Sequence, residues 1–116
     1  MARMAADAIV SRKGADIVML SVGDLFILSD VFVIATGTSR PHVQGLADYV
    51  EEHFKESLDL KPLRVEGRAE AEWVLVDYGH IIIHIFQGSS REFYSLERLW
   101  GDAPRVKWEE PAVSEG

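Results

Sequence analysis

The sequence has no cysteine. Disulfides, thiolate metal sites and cysteine nucleophiles are excluded at once. It is poor in phosphate-binding punctuation. The stretch ATGTSRPH, Ala35 to His42, joins an apolar run to a helical pattern but carries one glycine and no lysine. A P-loop needs further glycines and a lysine, and a dinucleotide fingerprint needs three spaced glycines. No Asp-x-Asp pair occurs in the chain, so the two-carboxylate Mg²⁺ grip of a nucleotidyltransferase has no source. No apolar run is long enough to span a bilayer. The first residues, MARMAADAIVSRKG, lack the apolar core of a secretory signal, which makes a cytoplasmic protein the expectation. Basic charge is also short: 12 Lys and Arg stand against 19 Asp and Glu, a net charge of −7. That disfavours bare nucleic acid and anionic membranes and suits a basic protein partner.

What is present is an ordinary globular composition, 47% hydrophobic over 116 residues, enough for one domain with a single core. Ala2, Ala5 and Ile9 recur at helical spacing. Arg12 and Lys13 are placed in the last turn of that helix, with Gly14 as its C-cap. DIVMLSV (Asp16–Val22) has strand length, GDLFILSD (Gly23–Asp30) opens as a turn, and VFVIAT (Val31–Thr36) reads as a buried strand. Val43, Leu46, Ala47, Val50, Phe54 and Leu58 form one stripe of a long helix. LRVE (Leu63–Glu66) is a short strand. WVLVDY (Trp73–Tyr78) and IIIHIFQ (Ile81–Gln87) make a hairpin about Gly79. SSREFYSLERLW (Ser89–Trp100) closes as a helix. The order α-β-β-α-β-β-β-α predicts a mixed α/β fold, a five-stranded sheet with helices packed on it. VFVIAT and LRVE, joined by the long helix, are expected to be parallel. The domain is placed at residues 1–101 and a mobile C-terminal tail at 102–116.

Two groups of residues are candidates for function. The first is the glycine turn. Gly37 is expected to supply a left-handed conformation, Thr38 or Ser39 to cap the long helix, and Pro41 to sit in its first turn. Helix N-termini attract anions, so Thr38, Ser39 and Arg40 are a candidate anion site beside this purely structural reading. An enzyme acting on a nucleotide or phosphate ester at Gly37–Arg40 is the corresponding alternative function. His80 and His84 fall on one side of a strand, but two imidazoles with no evident third ligand do not make a zinc site, and no metal or cofactor is expected.

The second group is the strand WVLVDY. Alternation puts Trp73, Leu75 and Asp77 on one face and Val74, Val76 and Tyr78 on the other. Both faces carry large apolar groups, so either helices cover both or one is an exposed patch. A tryptophan beside acids is a common interface anchor, and a core tryptophan is the competing reading. The candidate partner-binding set is Trp73, Leu75, Asp77 and Tyr78, with Glu70 and Glu72 from the preceding loop.

Three segments together carry a family resemblance: DIVMLSVGDLFILSDVFVIATGTSRPHVQGLADYVEE, LRVEGRAEAEWVLVDYGHIIIHIFQ and REFYSLERLWGDAPRV. From about Asp16 to Val106 the chain resembles the ribosomal silencing factor family, RsfS or Iojap. The resemblance implies a non-enzymatic protein. It would bind the large ribosomal subunit through ribosomal protein number fourteen and sterically block joining of the small subunit, repressing translation when nutrients are scarce. It further implies a nucleotidyltransferase-like sheet without catalytic carboxylates, and a possible homodimer when free. Little direct nucleic-acid contact is expected. A role in large-subunit assembly, as in organelle relatives, is a second alternative. Ser21 and His80 depart from the family, many members having Asp at the first and Asp or Glu at the second.

Overall fold

The computed structural model describes residues 2–21 and 31–88. Its elements are α1 (Ala2–Ser11), β1 (Ala15–Ser21), β2 (Val31–Gly37), α2 (Arg40–Leu58), β3 (Arg64–Glu66), β4 (Trp73–Asp77) and β5 (Ile81–Gln87). The expected final helix at Ser89–Trp100, the tail at 102–116 and the turn at Gly23–Asp30 lie outside the described residues.

The five strands form one mixed sheet in the order β1-β2-β5-β4-β3. β2 and β5 pair in parallel, while β1–β2, β4–β5 and β3–β4 are antiparallel. β2 and β3 therefore point the same way, as the helix between them suggested. They are not neighbours, because the β4–β5 hairpin lies between them and leaves β3 at the sheet edge. The central strands β2 and β5 have side chains buried on both faces, which is why they read as continuous β-branched runs rather than alternating ones.

One face packs against both helices. Ala5, Ala8 and Ile9 of α1, and Val43, Leu46, Ala47, Val50 and Phe54 of α2, meet Val33, Ala35, Val74, Val76, Ile81, Ile83 and Ile85. Small residues on α1 let it approach closely. Leu58, expected on the buried stripe of α2, is the last residue of the helix and is 38% exposed. The opposite face holds a second cluster, Leu20, Phe32, Ile34, Ile82 and Phe86, with Val18, Trp73 and Leu75 half-buried beside it. A broadly exposed apolar face is thus not what the alternation of β4 produced. Among the described residues that face is partly open at Val18 of β1 and along the β4 margin.

The helix ends correct the sequence reading in detail. α1 closes with the Gly14 N–H donating to the Ile9 carbonyl at 2.8 Å and the Lys13 N–H to the Val10 carbonyl at 2.9 Å. This is the two-bond Schellman pattern, and Lys13, at φ 67°, takes the left-handed position assigned to glycine. Arg12 and Lys13 therefore lie in the cap, not in the last turn. Gly14 is needed for space instead, because a Cβ there would stand 2.1 Å from the Ile9 side chain. Strand β1 starts one residue earlier than expected and is interrupted by a bulge between Ala15 and Val18, where Asp16 adopts φ 52°.

Candidate partner-binding site

Trp73 opens β4 directly opposite Phe86 of β5, and Leu75 lies opposite His84. The Trp73 and Phe86 rings stack at 5.2 Å with an interplanar angle of 25°. The Trp73 indole Nε1–H donates to His84 Nδ1 at 3.0 Å. His84 is buried, with Phe32 meeting its ring edge-on at 4.7 Å. Burial alone holds the His84 imidazole well below its ordinary range, at about 4, so it is neutral at physiological pH. Trp73 and Leu75 remain half-buried at the margin of this aromatic cluster.

The loop from Gly67 to Glu72 leads into Trp73 and is fastened to α2. Arg68 grips Asp48 with two hydrogen bonds, Nε to Oδ1 at 2.8 Å and Nη2 to Oδ2 at 2.5 Å. The Gln44 amide donates to the carbonyls of Arg68 and Ala69 at 2.9 and 3.3 Å. Inside the loop the Ala71 N–H donates to the Gly67 carbonyl at 2.8 Å, and at its end the Gln87 N–H donates to the Glu72 carbonyl at 3.0 Å. Gly67 and Ala71 both adopt left-handed conformations, at φ 79° and 56°. Glu70 and Glu72, held on this loop, are exposed. The hydrogen bond from Arg68 keeps the Asp48 carboxyl below its ordinary range, and burial raises Glu51 above its own.

Two members of the expected set are engaged within the chain. Tyr78 is buried under α2, its ring 4.7 Å from Phe54, because the alternation of β4 continues one residue past the strand and turns Tyr78 to the helix face. Its hydroxyl has no hydrogen-bond partner among the described residues, and burial, with the Glu51 charge as a lesser cause, pushes it up to about 12. Asp77 shares the face of Trp73, but its carboxylate is engaged within the chain. Oδ2 pairs with Arg64 Nε at 3.1 Å, and Oδ1 accepts the Gly79 N–H at 2.8 Å, which closes the hairpin turn. Of the rest of the set, Trp73 and Leu75 are half-buried and Glu70 and Glu72 are exposed. Sequence reasoning weighed His84 only as a metal ligand and passed over its bond to Trp73 and the Arg68–Asp48 clasp. The hairpin register about Gly79 was the available signal for His84, since it places Leu75 across from it.

The glycine turn is a helix start. Ser39, not Thr38, is the N-cap, its Oγ accepting the His42 N–H at 3.2 Å. The Thr38 N–H donates to His42 Nδ1 at 2.9 Å, and His42 Nε2 reaches the Arg12 carbonyl at 2.9 Å. A carbonyl only accepts, so the His42 proton resides on Nε2. Pro41 brings no N–H, and the donors at Thr38 and His42 are occupied by the chain itself. Arg40 is exposed at the first helical position. Gly37 has no left-handed conformation. It is required because a Cβ would lie 2.8 Å from the Val43 side chain. An open groove of about 400 Å³ borders this turn, lined by Arg12, Pro41, His42, Asp48, Tyr49 and Glu52 among others, with the Arg12 guanidinium 4.1 Å above the Tyr49 ring. His80 is exposed in the hairpin turn and His84 is buried within β5, so the two do not share a strand face. Among the described residues no cluster of three or more His, Asp or Glu could hold a metal ion. No helix among them is long and apolar enough to cross a membrane.

These features define a small mixed-sheet α/β domain whose candidate site is a half-buried aromatic margin with exposed acids beside it. Residues 1–115 match the family model described as "Ribosomal silencing factor during starvation". The chain is 35% identical over 108 residues to the ribosomal silencing factor RsfS of Halalkalibacterium halodurans, covering 92% of this chain and 91% of that one. It is 32% identical over 91 residues to the mouse protein named mitochondrial assembly of ribosomal large subunit protein 1, covering 77% of this chain and 40% of that one. A crystal structure of a Chromobacterium violaceum protein superposes with a TM-score of 0.81 at 32% identity, over 98% of this chain and 89% of that one. The chain belongs to the ribosomal silencing factor family.

Proposed function

We propose that this protein binds the large ribosomal subunit through ribosomal protein number fourteen and sterically blocks joining of the small subunit, without catalysing a reaction. The observation that carries the reading is the half-buried Trp73, stacked on Phe86 and preceded by the exposed acids Glu70 and Glu72. Tryptophan in a partly closed aromatic setting is the side chain most often found to dominate binding, and rim acids steer a basic partner. The net charge of −7 supports a basic protein rather than RNA as the direct contact. Family membership supports the silencing role, and we read nutrient limitation as its occasion and the cytoplasm as its place. Sedimentation with purified large subunits, small subunits and whole ribosomes tests it. Co-sedimentation with large subunits alone, weakened by salt and reproduced by isolated ribosomal protein fourteen, is the expected result. Binding to naked ribosomal RNA without binding to that protein contradicts it. A sedimentation-velocity run on the free protein tests the homodimer.

A role in large-subunit assembly is the second reading, favoured by the mouse relative's name. It is separated by whether the protein acts on mature subunits or only on precursors. The enzyme reading at Gly37–Arg40 is the less favoured one, because the Thr38 and His42 N–H groups are bonded within the helix start.

A further inference from the structure

We propose that His84 is the positioning residue of the docking surface: it fixes which edge of the Trp73 indole is presented to the partner. The inference rests on the reading that Trp73 docks. Stacking on Phe86 cannot make this choice, because an indole turned over in its own plane covers the same ring almost equally well. The hydrogen bond from Nε1 to His84 Nδ1, at 3.0 Å, accepts only one of the two orientations. His84 cannot move to follow a turned indole. It is buried, with Phe32 edge-on at 4.7 Å and Phe86 stacked parallel at 6.5 Å.

The arrangement carries a cost that packing alone does not explain. Accepting the indole proton at Nδ1 puts the imidazole's own proton on Nε2. Nε2 is buried and has no hydrogen-bond partner among the described residues. A leucine of similar volume would fill the site without burying an unmet donor. A histidine here is therefore accounted for by the one thing leucine cannot do, which is to accept from Trp73. The position directly across from His84 is Leu75, the second apolar residue of the proposed surface, so the same side chain backs both.

The test compares His84→Leu, His84→Gln, Trp73→Phe and Trp73→Ala, and the double variant Trp73→Phe with His84→Leu. Each is measured for binding to isolated large subunits, for melting temperature, and for the indole N–H resonance that Trp73→Phe removes. His84→Leu is expected to weaken binding roughly three- to tenfold, the worth of one neutral hydrogen bond, while melting no lower than the native protein and shifting the Trp73 resonance. His84→Gln, whose amide oxygen can accept, restores most of the binding. In the Trp73→Phe background His84→Leu adds no further loss. An unshifted resonance, or a binding loss seen only in step with a lower melting temperature, overturns the inference. So does native binding by His84→Leu when Trp73→Ala no longer binds. If Trp73→Ala binds at native strength, the docking reading itself falls, and the inference with it.

Discussion

Gly67 lies so close to Trp73 that a Cβ on it would stand 2.2 Å from the Trp73 carbonyl oxygen. The two residues bracket the loop that carries Glu70 and Glu72, and Gly67 holds φ 79°. Contact and conformation both demand glycine, and neither can relax without moving the start of β4. Gly67→Ala is expected to cost on the order of 1–3 kcal/mol of stability and to weaken large-subunit binding beyond that loss. Thermal melting and a binding titration on the same sample check it. Unchanged binding would mean that the loop does not hold the docking residues.

Tyr78→Phe separates the buried reading of that residue from the partner-binding one. The hydroxyl is buried, unpartnered and held near 12. Its removal is expected to leave stability unchanged or to raise it by about 1 kcal/mol, with large-subunit binding unaffected. A loss of binding at undiminished stability would return Tyr78 to the interface.

His84 gives the protein a defined acid sensitivity. Its folded value of about 4 lies below the ordinary 6.5, so the unfolded chain takes up a proton that the folded chain refuses. The His84 contribution is complete above pH 6.5 and is lost as pH falls from 6.5 towards 4. Below that the folded protein is protonated too and the loss levels off. The full effect is on the order of 3 kcal/mol. Urea denaturation at pH 7.5 and 4.5 should show the native protein losing more stability than His84→Leu. Equal losses would mean that the ring is hydrated or charged in the fold.

Ser39→Ala and Thr38→Ala distinguish cap from bystander. Ser39→Ala removes the acceptor for the His42 N–H and is expected to cost about 1 kcal/mol. Thr38→Ala keeps the backbone N–H that meets His42 and is expected to cost less. Phosphate-dependent stabilisation that disappears with Arg40→Ala would restore an anion site at this turn.

Much of the fold was legible because local and tertiary preferences agree. IIIHIFQ became β5 with the expected ends, since a β-branched run needs burial on both faces and a central position supplies it. Val43, Leu46, Ala47, Val50 and Phe54 kept their stripe because one sheet face takes the whole of it. What stayed hidden depends on distant contacts. The need for glycine at 14 and 37 comes from Ile9 and Val43 across a turn, where sequence suggested backbone conformation. The edge position of β3 follows from β5 inserting beside β2, which no local pattern encodes. Asp77 looked like a rim acid until Arg64 and Gly79 claimed both its oxygens. The aromatic margin was half legible. Alternation exposed Trp73 and Leu75, but the hydrogen bond to His84 needed the hairpin register to be taken as far as its diagonal neighbours.

The most direct measurement is the ability of Trp73→Ala to prevent joining of purified large and small subunits, followed by sedimentation, with its fold verified at the assay temperature by circular dichroism. The indole is half-buried at the margin of the second core cluster rather than inside either cluster, so a folded protein is expected. That protein should bind large subunits at least about thirtyfold more weakly and no longer block joining at concentrations where the native protein does. A folded Trp73→Ala that blocks joining as well as the native protein would contradict the account.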